Sequence, residues 1–183
     1  MLKLKLINER EVRGNIEFSG TIVFANPCVV HGRVFADEDL IIPFGLVASS
    51  IIAMGSIKRE TQGVQPIKGK GGDIISSGSI EARRGSIDNG KGSMAAEHHI
   101  SVKGDIKGNG IGVHHYIWSE EGSILAKGNL MASSQGIRAA KNIVTGEGGI
   151  QCFGEGGKVI AGENITCGGM CGTLPVDMGL FRM

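Results

Sequence analysis

Apolar residues return along this chain at a short, regular interval. The stretch Ile51-Ile52-Ala53-Met54-Gly55-Ser56-Ile57 defines a unit, Ile-x-small-x-Gly-x-Ile. It recurs at 74–80, 100–106 and 124–130, and looser copies begin at Ile16, Cys28, Ile41, Ile137 and Val159. Across these nine copies position 1 is Ile, Val or Cys, and position 7 is Ile, Val or Leu. Position 5 is Gly in seven of them, with Lys141 and Glu163 as the exceptions. Self-similarity of this kind marks a repeat architecture.

The unit reads as a short strand followed by a corner. Strand side chains alternate, so positions 1 and 3 share a face, and an Ile beside a small residue suits a narrow interior. Gly at position 5 is expected to take the positive φ that a tight corner needs. Position 6 is mostly Ser, Asp, Asn or Thr, which favour turns through side-chain-to-backbone hydrogen bonds. Position 7 returns an apolar residue to the core, and like positions stack from coil to coil at roughly 4.8 Å. The prediction is an all-β chain forming one right-handed parallel β-solenoid of irregular coils over residues 1–171, with a C-terminal tail at 172–183. The later copies start 23, 26 and 24 residues apart, which predicts coils of about two dozen residues. Six or seven such coils would make a rod of roughly 30 Å.

Other folds fit less well. No stretch keeps an i, i+3, i+4, i+7 pattern, and each interior glycine costs a helix about 1 kcal/mol. A β-sandwich needs Asn-Gly or Asp-Gly hairpins between its strands. Only Asn89-Gly90 and Asn109-Gly110 qualify, and both lie between repeat copies. The segments 58–73, 84–99, 107–123 and 145–158 would form other faces of the coils and any protruding loops, where function is grafted. Met1-Leu2-Lys3-Leu4-Lys5-Leu6 alternates and reads as an edge or capping strand.

Composition supports the narrow core. There are 31 glycines in 183 residues, more than twice the usual ~7%, and aromatics are only 4%. A net charge of +1 gives no electrostatic case for nucleic acid. No stretch approaches the ~20 apolar residues of a membrane span, and no signal peptide is visible. A cytoplasmic or virion-associated protein is the expectation. Cys28, Cys152, Cys167 and Cys171 are too few and too uneven for a disulfide framework and read as free thiols.

Candidate chemistry is sparse. His98-His99 and His114-His115 are two pairs that would hold Zn or another transition metal if the fold brought them together. Without that convergence no cofactor is implied. Cys167 and Cys171 offer half of a zinc pattern, and small buried residues are the plainer reading. Gly85–Gly92 lacks the Ser or Thr that a P-loop places after its Lys, so it reads as a glycine-rich turn. The glycine run 108–112 has no following helix. Asp37, Asp39 and Glu120, with Tyr116 and Trp118, are candidates for a carbohydrate groove, since acid/base cleavage needs two carboxylates and sugars stack on rings. No catalytic set emerges.

The steps Gly20-Thr21-Ile22, Gly32-Arg33-Val34, Gly55-Ser56-Ile57, Gly78-Ser79-Ile80 and Gly104-Asp105-Ile106 resemble those of parallel β-helix proteins. They are similar in particular to those of bactofilins, the polymer-forming bacterial cytoskeletal family. The resemblance implies a non-enzymatic scaffold that self-associates, with no family site residues to carry over. A solenoid has open ends, and the apolar tail (Leu174, Val176, Met178, Leu180, Phe181) would cap one end or dock on a neighbouring copy. The alternatives are a carbohydrate-binding or carbohydrate-cleaving β-helix with a polysaccharide partner, and an accessory β-helix domain of a larger enzyme complex.

Overall fold

The computed structural model describes residues 3–59, 72–132, 135–152 and 157–169. The C-terminal tail expected at 172–183 therefore lies outside the described residues, as does Cys171. Within them the chain forms twenty-three short strands. Every pairing is parallel, and the strands stack as a β-solenoid of about eight turns. Among the described residues there is no helix, and so none long and apolar enough to cross a membrane.

Each coil has three sides. One coil runs through strands Ile106–Gly108, Ile111–Val113 and Tyr116–Ser119. Strands like the first of these stack into a nine-stranded sheet, the first face. The other two sets form the second and third faces, which share strands Cys28–Ala36 and Leu46–Ala53 where the chain passes the corner without a break. The edge strand expected at the N-terminus is Leu4–Ile7, paired with Thr21–Phe24 at the end of the first face.

The core is three columns of aliphatic side chains. On the first face Ile57, Ile87, Ile106, Ile124 and Ile143 follow one another in register, all at 0% exposure. On the third face Ile51, Ile80, Ile100 and Ile117 do the same. The third position of each side points inward too and holds a small residue, such as Ala53, Ala82 or Ala126. Large and small side chains alternate because three sides must close round a narrow interior.

The coil is shorter than two dozen residues. Ile87, Ile106, Ile124 and Ile143 are successive partners, so a coil takes 18 or 19 residues on this face. Elsewhere on it the step is 17 residues from Leu40 to Ile57, 22 from Ile143 to Ile165, and thirty from Ile57 to Ile87, where the coil also carries residues 60–71. The nine copies of the unit do not share one face, although those at Ile137 and Val159 are register partners. The copy at 74 starts on the second face, that at 100 on the third and that at 124 on the first. The intervals of 26 and 24 residues are therefore each one coil plus one side, whereas the 23 from Ile51 to Ile74 is two sides that also carry residues 60–71. The copy at Ile41 is one residue out of step, since Leu40 is the partner of Ile57. Eight coils at roughly 4.8 Å make a rod of roughly 38 Å, longer than expected.

The corner glycines also do different work from that expected. Among the described residues only Gly14, Gly45, Gly90 and Gly136 have positive φ, and of these only Gly45 is position 5 of a copy, that at Ile41. Most of the other repeat glycines are instead places where coils nearly touch. A Cβ on Gly32 would sit 2.5 Å from the Gly14 carbonyl oxygen, and one on Gly78 would sit 2.5 Å from that of Ser49.

Position 6 bonds across coils instead of within its own turn. At the corner between the third and first faces the Ser56 N–H donates to Asp39 Oδ1 (2.7 Å), and the Ser86 N–H to Ser56 Oγ (3.1 Å). The ladder continues from the Asp105 N–H to Ser86 Oγ (2.9 Å) and from the Ser123 N–H to Asp105 Oδ1 (2.8 Å). One polar side chain per coil thus satisfies a corner N–H that no strand partner reaches. Asp105→Ala is expected to cost about 1–3 kcal/mol by stranding the Ser123 N–H, while Asp105→Asn keeps an acceptor and most of the stability. Thermal melts of the two variants check this, and equal losses would refute the ladder's role.

Candidate functional site

Stacking decides which candidate residues meet. The second residue of each side points outward, and outward positions form columns down each face. On the third face one column runs Ser79, His99, Tyr116, Gly136, and the next runs Glu81, Ser101, Trp118, Arg138. The His99 ring lies flat on the Tyr116 ring, with centroids 4.6 Å apart and planes 6° apart. His99 Nδ1 is 3.1 Å from Ser79 Oγ, and its Nε2 is 3.3 Å from Glu81 Oε1. Glu81 also accepts from Arg83 Nε at 2.9 Å. Burial pushes the Tyr116 phenol above its ordinary pKa, and the nearby Glu81 carboxylate adds to the shift.

A hydroxyl, an imidazole and a carboxylate in line suggest a nucleophile relay. Ser79, however, is only 8% exposed, tucked beneath His99. The chain of bonds fixes the imidazole plane, which in turn supports Tyr116. Next to it is a hollow of about 280 Å³ lined by Tyr116, Trp118, Gln135, Gly136 and Arg138.

The two histidine pairs meet through only one residue each. His98 stacks on His115 in the next coil, with centroids 5.5 Å apart, at the corner between the second and third faces. His99 faces outward on the third face, and His114 lines a groove on the second. Among the described residues no three His, Cys, Asp or Glu side chains are placed to hold a metal ion.

The acidic candidates are split as well. Asp37 lies on the corner column of the second coil and Glu120 on that of the sixth, linked through the backbone bonds of Met54, Arg83 and Lys103. Four coils place them roughly 19 Å apart by coil spacing. Paired glycosidase carboxylates stand about 5–9.5 Å apart. Asp39 is occupied in the corner ladder and by Lys58 Nζ at 2.8 Å. Tyr116 and Trp118 do share a face, as alternate residues of one strand.

The glycine-rich stretch 85–92, expected to be a turn, contains the first-face strand Ile87–Asp88, and the turn that follows it is an architectural joint. Asn89 is fully buried, donates to the Ser93 carbonyl at 2.8 Å and accepts from Arg59 Nε at 3.2 Å. Arg59 Nη2 also donates to the Gly72 carbonyl at 3.1 Å, so one guanidinium ties together the two ends of the 60–71 insertion. Arg59→Ala is expected to lower stability by about 1–3 kcal/mol, because the buried Asn89 oxygen loses its donor. Chemical denaturation measures this, and an unchanged midpoint would refute it.

Cys28 and Cys152 are buried in the core with free thiols, and burial raises the pKa of both. A raised pKa means less thiolate at any given pH. Neither thiol should react with iodoacetamide at pH 8 in the folded protein, and both should react after unfolding. Mass spectrometry of labelled peptides reads the outcome.

The second face carries a feature that single motifs do not reveal. Val29, Val47, Ile75 and Met131 point outward on it at 38–43% exposure, with Ala95 in the same column. Val29, Val47, Ile75 and Ala95 border an open groove of about 580 Å³ that also touches His31, Glu97 and His114. Its signal in the sequence was an apolar residue at position 2 of a unit, as in Ile74-Ile75. Gln135, Gly136 and Arg138 had no such signal, because only stacking sets them beside Tyr116 and Trp118.

No family model matches this chain, and neither a curated protein nor a solved structure shows significant similarity to it.

Proposed function

We propose that this protein is a non-enzymatic scaffold that associates with copies of itself through the second face of its solenoid. The observation that carries the reading is the outward apolar column of Val29, Val47, Ile75, Ala95 and Met131. Parallel sheets are ordinarily covered on both sides, and contiguous apolar surface marks an interaction site. The column is continuous from Val29 through Val47 and Ile75 to Ala95, and Gly112 then leaves a gap before Met131. A two-fold axis normal to it would lay it against its own copy, the isologous contact of a symmetric dimer. The open ends offer a further contact. Among the described residues the edge strand Leu4–Ile7 pairs on one side only, and Leu4 and Leu6 are 53% and 48% exposed. Contact through unlike ends would extend dimers into filaments. The resemblance of the Gly-x-Ile steps to those of bactofilins is in keeping with this reading, as are free thiols with a cytoplasmic setting.

Sedimentation velocity over a range of concentrations tests it. The wild-type chain should run as a dimer or larger species. Val47→Glu with Ile75→Glu should run as a monomer with an unchanged circular dichroism spectrum, since both side chains already face water. A wild-type monomer at high concentration, or an assembly indifferent to the double substitution, would overturn the proposal.

A further inference from the structure

The geometry points to a second site on the third face, one that takes a carboxylate-bearing sugar ring such as a uronic acid residue in a polysaccharide. We infer this from the ring column of His99 and Tyr116, which stops one coil short. The next position in register with Tyr116 is Gly136. No side chain can stand there, because Gly136 has φ +96° and a Cβ would lie 2.6 Å from the backbone nitrogen of Lys158. The outer face of Tyr116 therefore opens into the hollow it lines with Trp118 and Arg138. Its inner face is held by His99, which Ser79 and Glu81 fix in turn. A rigid ring with one open face, beside an exposed indole, is a stacking platform for the C–H face of a pyranose.

Arg138 supplies the choice of sugar. It is exposed, stands in register with Trp118, and makes no ion pair among the described residues. A free guanidinium pairs with a carboxylate through two parallel hydrogen bonds. Gln135 adds an amide able to donate to and accept from ring hydroxyls. A nucleic acid would offer rings and anions too, but the net charge of +1 and a single arginine here provide no track for a phosphate backbone. The site lies on a different face from the self-association column, so the two readings stand or fall separately.

Trp118 is the single tryptophan of the chain, so its fluorescence reports the site directly. Oligogalacturonate should change that fluorescence saturably, and neutral galactose oligomers at the same ring concentration should not. Arg138→Gln should weaken the uronate response about tenfold or more, the loss expected for a charge-assisted pair, while leaving the melting temperature unchanged. Tyr116→Leu, followed by the same signal, should weaken it as well. Four results would overturn the inference: no saturable change with oligogalacturonate, an equal response to the neutral oligomers, an equal response to polyglutamate or a single-stranded oligonucleotide, or an Arg138→Gln variant that binds like the wild type.

Discussion

Ile100→Ala is expected to destabilise the protein by about 2–5 kcal/mol, the range for removing a fully buried branched side chain. Ile100 is at 0% exposure and lies in its column between Ile80 and Ile117. The interior is one side chain wide at each level, so neighbours have little freedom to fill the void. Coils meet only their immediate neighbours, so the cost is concentrated at two interfaces in the middle of the rod. Circular dichroism on heating and in denaturant would measure the change. A loss below about 1 kcal/mol would mean that the column repacks and that the core is looser than the register implies.

Gly78→Ala is the second large effect, expected at about 1–3 kcal/mol through overpacking. The added methyl would meet the Ser49 carbonyl oxygen at 2.5 Å, an atom of the neighbouring coil's backbone that cannot swing away. Gly112→Ala provides the contrast. Gly112 lies within the strand Ile111–Val113, and its nearest neighbour would be the Met131 methyl at 3.9 Å. That substitution should be neutral or stabilise by about 0.4–1 kcal/mol, by restricting the unfolded chain. Neither glycine has positive φ, so a difference between the two variants isolates coil-to-coil clearance as the cause. Equal melting temperatures would refute it.

The two glycines also show how far local pattern carries. The unit Ile74–Ile80 identified Gly78 as a corner, and it is one. Positive φ is what an isolated turn would ask of it, and Gly78 does not have it. The actual constraint is contact with residue 49 in the coil before, and nothing near Gly78 in the chain announces Ser49. Position 6 tells the same story. Ser56 and Asp105 hold position 6 of their units, where local turn bonds are the expectation. In the fold Ser56 and Asp105 accept from the corner N–H of the next coil.

The candidate sites separate along the same line. Tyr116 and Trp118 alternate within one strand, so their shared face follows from strand geometry. Asp37 and Glu120 share only a residue type with them and lie four coils apart. The histidine pairs looked alike in sequence but straddle a corner, which turns His114 and His99 onto different faces. Arg138 and Gly136 acquired meaning only when the coil of Tyr116 met the one that follows it.

By itself the amino-acid sequence determined that this chain is a parallel solenoid, which side chains fill it, and where its corners fall. Those properties depend on alternation within a strand and on small residues beside large ones, both local. The tertiary structure alone decided the coil length, the face to which each copy belongs, and which outward residues become neighbours. Side-chain columns form between residues about eighteen apart, and three similar sides admit several repeat spacings. Only the closure of the parallel hydrogen-bond ladders selects one of them.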